Sequence, residues 1–116
     1  MKRHLLLVLP LIGLAGCAAD PAPLEQLRLT EQAIHQARAI GATGEVAELG
    51  MAESKQAQAR AALADGENRQ ARLLAEQAEL DARLAEARLL AAKRQQQLET
   101  LERRIAALRH ELEVAP

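Results

Sequence analysis

The sequence predicts an all-α protein: an antiparallel three-helix arrangement with a long C-terminal helix extending as a coiled coil. The main observation is the stretch from Gly66 to Glu113, which has no further glycine and no proline and consists almost entirely of strong helix formers. Glycines at two places divide the preceding chain into two shorter helical segments. The chain contains no Phe, Tyr or Trp and no segment rich in β-branched residues, so strands are not expected.

The long helix is predicted over residues 67–113, a length of about 70 Å at the standard rise. Near its C-terminal end, large apolar residues alternate at spacings of three and four, which is the a/d pattern of a coiled coil. We call these residues the seam: Leu98, Leu101, Ile105, Leu108 and Leu112. Because the seam is narrow and bordered by charged residues, we predict that it is a coiled-coil interface with one neighbouring helix.

In the first half of the long helix, the register of the seam continues through Leu73, Leu80, Leu84, Ala87 and Ala91. A second apolar stripe lies beside it, formed by Ala71, Leu74, Ala78, Ala82, Ala85, Leu89 and Ala92. Together the two stripes are wide enough to cover two neighbouring helices. We therefore expect this half to be packed and the seam beyond Arg94 to project alone. Glu79 with Arg83, and Glu99 with Arg103, have the i,i+4 order that stabilises a helix.

The first helix is predicted over residues 24–40, with Pro23 at its start and Gly41 just after its end. Its expected apolar face is Leu27, Ala33, Ile34, Ala37 and Ile40. The second helix is predicted over residues 44–64, capped by Thr43 or Gly44. Its expected apolar face is Val46, Leu49, Gly50, Ala57, Ala61 and Ala64.

The short connections between the predicted helices make consecutive helices antiparallel neighbours. A turn at Asp65-Gly66 pairs residues whose numbers add up to about 131, so Lys55 is expected beside Glu76. We also expect the side chain of Asn68 to cap the long helix.

Residues 1–16 are typical of a secretory signal peptide. Basic residues at the start precede an apolar run of about ten residues, too short to cross a bilayer. The run ends in Leu14-Ala15-Gly16-Cys17, which resembles the lipobox of bacterial lipoproteins in all four positions. The resemblance implies cleavage between Gly16 and Cys17 and acylation of Cys17. The alternative is a free thiol at Cys17, after ordinary signal cleavage or in an uncleaved anchor.

Residues 17–23 are predicted to be the lipidated N-terminus and a short tether, which keeps the first helix within about 20 Å of the lipid. In lipoproteins that this chain resembles, Asp directly after the cysteine favours retention in the inner membrane of enterobacteria. Ala18 stands at that position. The resemblance therefore implies a lipid anchor on the periplasmic face of the outer membrane, with the inner membrane as the alternative.

The remaining composition disfavours most other classes of function. With a net charge of −1 and no aromatic residues, the chain lacks the features of a nucleic-acid-binding protein. His35 follows Glu31 by four residues, but no second pair converges on them, so we expect a solvated face and no metal site. The sequence also lacks a Ser-His-Asp constellation. We therefore expect no enzyme activity, no cofactor and no small-molecule substrate.

A pattern of small and charged residues runs through the second helix and into the long helix. Its members are Ala52, Lys55, Ala59, Ala62, Leu63, Gly66, Ala71, Arg72, Leu74, Ala75, Glu76, Gln77, Ala78, Asp81, Ala82, Leu84 and Ala85. The pattern resembles domain-of-unknown-function family 4398, which is found in small alanine-rich envelope lipoproteins of bacteria. Because that family is uncharacterised, the resemblance implies no activity.

Two functions remain open from the sequence. The first is a structural or scaffolding lipoprotein of the envelope, whose seam binds a second copy or a helical envelope protein. The second is an accessory protein-binding module, similar to a tetratricopeptide helix pair, for a periplasmic or outer-membrane partner. The oligomeric state of the lipid-free protein distinguishes them, because only the first predicts self-association that is lost on truncation at Arg94.

Overall fold

The computed structural model describes residues 20–44 and 46–115. They form three α-helices: α1 (Leu24–Ala39), α2 (Ala47–Ala64) and α3 (Asn68–Val114). The predicted all-α fold class, with a long C-terminal helix, is confirmed. The predicted signal peptide and the lipid site at Cys17 lie outside the described residues.

Two glycines end the shorter helices where the sequence predicted breaks. Gly41 has a φ of 99° and Gly66 a φ of 78°, a region that residues with a Cβ rarely adopt. After Gly41, the Ala42 amide returns to the carbonyl of Ala37 at 3.0 Å, and after Gly66 the Glu67 amide returns to Ala62 at 2.9 Å. These bonds satisfy carbonyls at the two helix ends and reverse the chain direction.

The predicted side-chain caps are wrong for both later helices. α2 begins at Ala47, later than predicted, because the Val46 amide donates to the carbonyl of Thr43 in a turn that precedes the helix. The residues before α1, α2 and α3 are Pro23, Val46 and Glu67, and none makes a side-chain capping bond. The helix starts therefore depend on packing between helices.

Alanine lines the interface between α3 and the two shorter helices. The α3 residues with no exposed surface are Ala71, Ala75, Ala78, Ala82 and Ala85. Against them lie buried residues of α1 and α2, among them Ile34, Ala37, Leu49, Ala52, Ala59 and Ala62. Side chains this small let helix backbones approach closely, which replaces part of the apolar burial that aromatic residues would supply.

The apolar face predicted for α2 is largely wrong. Leu49 is buried as expected, but Gly50, Ala57, Ala61 and Ala64 are exposed. The buried positions are Ala52, Ala59 and Ala62, a set rotated around the helix from the predicted one. In a helix with alanine on several sides, apolar periodicity does not define one face, and the contact with α3 decides it.

The pairing of α2 with α3 also differs from the prediction. Lys55 Nζ lies 2.6 Å from Asp81 Oδ2, and Glu76 is exposed. A second ion pair, between Glu48 and Arg88, obeys the same register, in which paired residue numbers add up to 136. The predicted sum of about 131 is wrong because the pairing is centred on the start of α3, beyond Asp65-Gly66.

Thr30 is a buried polar residue outside the apolar face predicted for α1. Its hydroxyl lies 2.9 Å from the carbonyl oxygen of Gln26 in α1 and 2.8 Å from that of Ala75 in α3. The residue has no exposed surface. Thr30 therefore joins α1 to α3 with a hydrogen bond inside an otherwise apolar interface.

Lys93 marks the end of the three-helix region. Its ammonium donates a hydrogen bond of 2.5 Å to the carbonyl of Ile40, directly after the end of α1. A cation at this place interacts favourably with the carbonyl groups at the C-terminus of α1, where the helix dipole is negative. Beyond Lys93, α3 continues to Val114 with no flanking helix among the described residues. We call residues 94–115 the tip of α3.

Candidate functional site

The seam lies uncovered along the tip of α3. The exposed fractions of its residues are 54% for Leu98, 52% for Leu101, 48% for Ile105, 59% for Leu108 and 78% for Leu112. These are high values for large apolar side chains arranged in one continuous strip. The exposure makes the seam available for binding; its role as an interface stays a prediction.

The apolar strip also continues into the three-helix region, on the side of α3 that faces solvent. Leu73, Leu80 and Leu84 are 49%, 66% and 43% exposed. The expectation that this strip and the second apolar stripe of α3, which we call the alanine stripe, together form one wide packed face is therefore wrong. The two stripes point about 150° apart on a helix of 3.6 residues per turn, and only the alanine stripe is covered.

The exposed strip has a strong part and a weak part. In the same register, four of the six core positions between Leu73 and the seam are occupied by Gln77, Ala87, Ala91 and Arg94. They bring polar, small or charged side chains into a strip that would otherwise be leucine. The five seam residues are the longest stretch in which every a and d position holds Leu or Ile.

Charged residues flank the seam on both sides. In the heptad register with Leu98 at position a, Glu102 and Arg109 fall at e, on one edge. Arg104 and Glu111 fall at g, on the other edge. All four residues are exposed. Each edge therefore presents one acid and one base, separated by one heptad.

The i,i+4 pairs predicted along α3 have different outcomes. Arg83 forms an ion pair with Glu79, as predicted. In the tip, Arg103 instead donates to the Thr100 hydroxyl at 3.1 Å, and Glu99 accepts a hydrogen bond of 3.2 Å from Gln95. The surface of the tip is thus hydrogen-bonded within the helix.

The N-terminal segment is bound to the opposite end of α3. The Asn68 side-chain amide donates to the carbonyl of Asp20 at 2.7 Å. Arg72 donates to the carbonyl of Pro21 at 3.3 Å. These contacts were not predicted from the sequence, and Asn68 binds the N-terminal segment instead of capping α3.

A metal site would need several His, Cys, Asp or Glu side chains close together. His35 and His110 are exposed. Glu31, which precedes His35 by one helical turn, lies 3.4 Å from Arg60 of α2. Within residues 20–44 and 46–115, no three His, Cys, Asp or Glu side chains come together as a metal site would need.

The described part of the chain, residues 20–44 and 46–115, contains three helices. None of its three helices combines the length and the apolar character needed to cross a bilayer.

The comparisons with known proteins agree with the observed fold. The model of DUF4398, a domain of unknown function, matches residues 25–101. A crystal structure of a DUF4398 family protein from Pseudomonas aeruginosa PAO1, at 2.47 Å resolution, is similar over 80% of this chain and 97% of its own. The two chains are 55% identical and superpose with a TM-score of 0.78. No curated protein matches this chain. The chain belongs to the DUF4398 family.

Proposed function

We propose that this protein is a lipid-anchored, non-catalytic structural or scaffolding protein of the bacterial cell envelope, acting through helical contacts of the α3 tip. The observation that supports the proposal is that α3 has two parts. Residues 68–93, which we call the base, are packed against α1 and α2, and the tip is uncovered. Lys93 holds the end of α1, and past it five consecutive core positions of a heptad pattern are exposed. A surface of this kind is suited to binding another helix.

The contacts of the N-terminal segment support an anchor at the base. Asn68 and Arg72 hold Asp20 and Pro21 beside the start of α3. If Cys17 is acylated, lipid and seam lie at opposite ends of the rod. The distance from Asn68 to Ile105 along the helix axis is about 55 Å. The anchor then holds the base at the membrane and leaves the seam away from the lipid.

The anchor is tested with the full chain expressed in an enterobacterium. Mass spectrometry of the mature N-terminus is expected to find Cys17 as the first residue, with acyl chains attached. Cys17→Ser is expected to leave the chain unprocessed and unacylated. A wild-type mature chain that starts elsewhere and has a free thiol would contradict the anchor.

The membrane of residence is tested by one substitution. Ala18→Asp is expected to move the acylated protein from the outer-membrane to the inner-membrane fraction, and Ala19→Asn serves as a control that keeps Ala18. Wild-type protein found in the inner membrane would contradict the proposed location and leave the anchor unaffected.

A further inference from the structure

The charges beside the seam discriminate between possible partners. In a parallel, in-register pair of identical helices, a g residue faces the e residue five positions later on the other copy. Arg104 would then face Arg109, and within the three-helix region Arg83 would face Arg88 and Glu76 would face Asp81. Each of these pairs has like charges and occurs twice in a dimer. The sequence therefore disfavours a parallel pair.

An antiparallel pair brings e residues together on one edge and g residues together on the other. When Ile105 of one copy faces Leu108 of the other, Leu101 faces Leu112, and Glu102 faces Arg109 on one edge. Arg104 faces Glu111 on the other edge. Two-fold symmetry doubles each contact, so four opposite-charge pairs form and every core position from Leu98 to Ala115 is apolar.

The neighbouring antiparallel registers, shifted by one heptad, reverse this result. With Leu101 opposite Ile105, Glu102 faces Glu102 and Arg104 faces Arg104 of the second copy. With Leu108 opposite Leu112, Arg109 faces Arg109 of the second copy, and Glu111 faces Glu111 of the second copy. Like charges directly opposite one another destabilise both alternatives.

A longer antiparallel overlap, with Leu80 opposite Leu112, also brings opposite charges together. It needs Asp81 and Arg88 at the interface, but in the monomer Lys55 and Glu48 already bind them. It also places Arg94 opposite Leu98 in the core. The short overlap uses only residues beyond the end of the three-helix region, where the described chain leaves the helix free on all sides.

We propose that two copies of this chain pair tip to tip, with their α3 helices antiparallel and Ile105 of each copy opposite Leu108 of the other. The proposal rests on the proposed function, which assigns binding to the seam. The overlap is about 27 Å long, so the pair is weak and depends on concentration. It places the two α3 N-termini, and with them the proposed lipid anchors, about 115 Å apart.

The register is tested by disulfide cross-linking of the full chain in a Cys17→Ser background. Leu101→Cys mixed with Leu112→Cys is expected to give a disulfide-linked heterodimer, because these positions face each other. Neither variant alone is expected to cross-link, because identical positions lie about 16 Å apart along the axis, too far for a disulfide. Cross-linking of Leu112→Cys alone would show a parallel pair, and cross-linking of Leu80→Cys with Leu112→Cys the longer overlap; either overturns the proposal.

A charge exchange gives a second test that needs no cysteine in the seam. Arg104→Glu places a carboxylate opposite Glu111 of the other copy, twice in the dimer, and is expected to weaken dimerisation about tenfold. The double variant Arg104→Glu/Glu111→Arg is expected to restore it. Neither position has a charged residue three or four places away, so charge pairs within the helix do not change. In a parallel pair, Arg104→Glu would instead strengthen association, by removing repulsion from Arg109.

The two proposals fail in distinguishable ways. A wild-type chain that is acylated at Cys17 but monomeric at every accessible concentration overturns the tip-to-tip pair and leaves the anchor intact. The predicted cross-link in the cysteine variants, together with a wild-type chain that is not acylated, confirms the pair and overturns the anchor.

Discussion

Lys55 of α2 and Asp81 of α3 form an ion pair with an Nζ–Oδ2 distance of 2.6 Å, and both side chains are partly buried. The pair fixes the position of α2 relative to α3 along the helix axis. Two turns further along α3, Arg88 binds Glu48 in the same register. Shifting α2 by one helical turn would separate both pairs and move the α2 alanines off the alanine stripe.

This register predicts energetic coupling between Lys55 and Asp81. A double-mutant cycle with Lys55→Ala and Asp81→Ala is expected to give a coupling of about 1 kcal/mol in the free energy of urea unfolding. The matched cycle of Lys55→Ala with Glu76→Ala is expected to give nearly zero. Stronger coupling to Glu76 than to Asp81 would show that the sequence-based register is correct and the structural one is not.

The alanine stripe predicts that a larger side chain is tolerated at the tip and not at the base. Ala82 has no exposed surface, so Ala82→Leu is expected to lower the free energy of unfolding by about 1–3 kcal/mol through overpacking. Ala106 is exposed on the tip, and Ala106→Leu is expected to change it by less than about 0.5 kcal/mol. Equal effects in chemical denaturation would mean that the tip is packed like the base.

The hydrogen bond from Thr30 to α3 predicts a specific cost for removing the hydroxyl. Thr30→Val keeps the shape of the side chain but removes the donor to the Ala75 carbonyl, so a loss of about 1 kcal/mol in stability is expected. Thr100 offers a matched control, because its hydroxyl donates at 2.8 Å to Gln96 within the exposed tip. If Thr30→Val costs no more than Thr100→Val, the contact between α1 and α3 contributes nothing measurable.

The sequence was sufficient for the fold class and for the turns at Gly41 and Gly66. These features follow from local chemistry: long runs of helix formers, interrupted by residues that adopt positive φ. The extent of the uncovered tip also follows from local information, because helices of 16 and 18 residues cannot flank a helix of 47 residues along its whole length.

The faces of the helices could not be predicted in the same way. Hydrophobicity ranks Leu80 above Ala82, yet Leu80 is 66% exposed and Ala82 is buried. The three helix backbones approach closely, so small side chains are needed between them. The spacing of apolar residues does not distinguish small from large side chains. The same ambiguity led to the wrong face for α2, where Ala57 and Ala59 are chemically identical and only Ala59 is buried.

The contacts between the N-terminal segment and the start of α3 also cannot be predicted from the spacing of apolar residues. Asn68 and Arg72 bind the backbone carbonyls of Asp20 and Pro21, which any residue could present. The charges beside the seam are different, because Glu102, Arg104, Arg109 and Glu111 can be assigned to heptad edges from the sequence. These charges can contact a second helix only because the tip of α3 is exposed to solvent.

The seam is expected to bind between molecules and to contribute nothing to the fold of the monomer. Ile105→Asp tests it most directly, with Ala106→Asp as the control beside the seam. We expect sedimentation equilibrium to show that wild type and Ala106→Asp associate with increasing concentration while Ile105→Asp stays monomeric. In dilute solution, all three are expected to unfold at the same temperature. If Ile105→Asp instead lowers the unfolding temperature of the monomer, the seam is covered within one chain and the proposed interface does not exist.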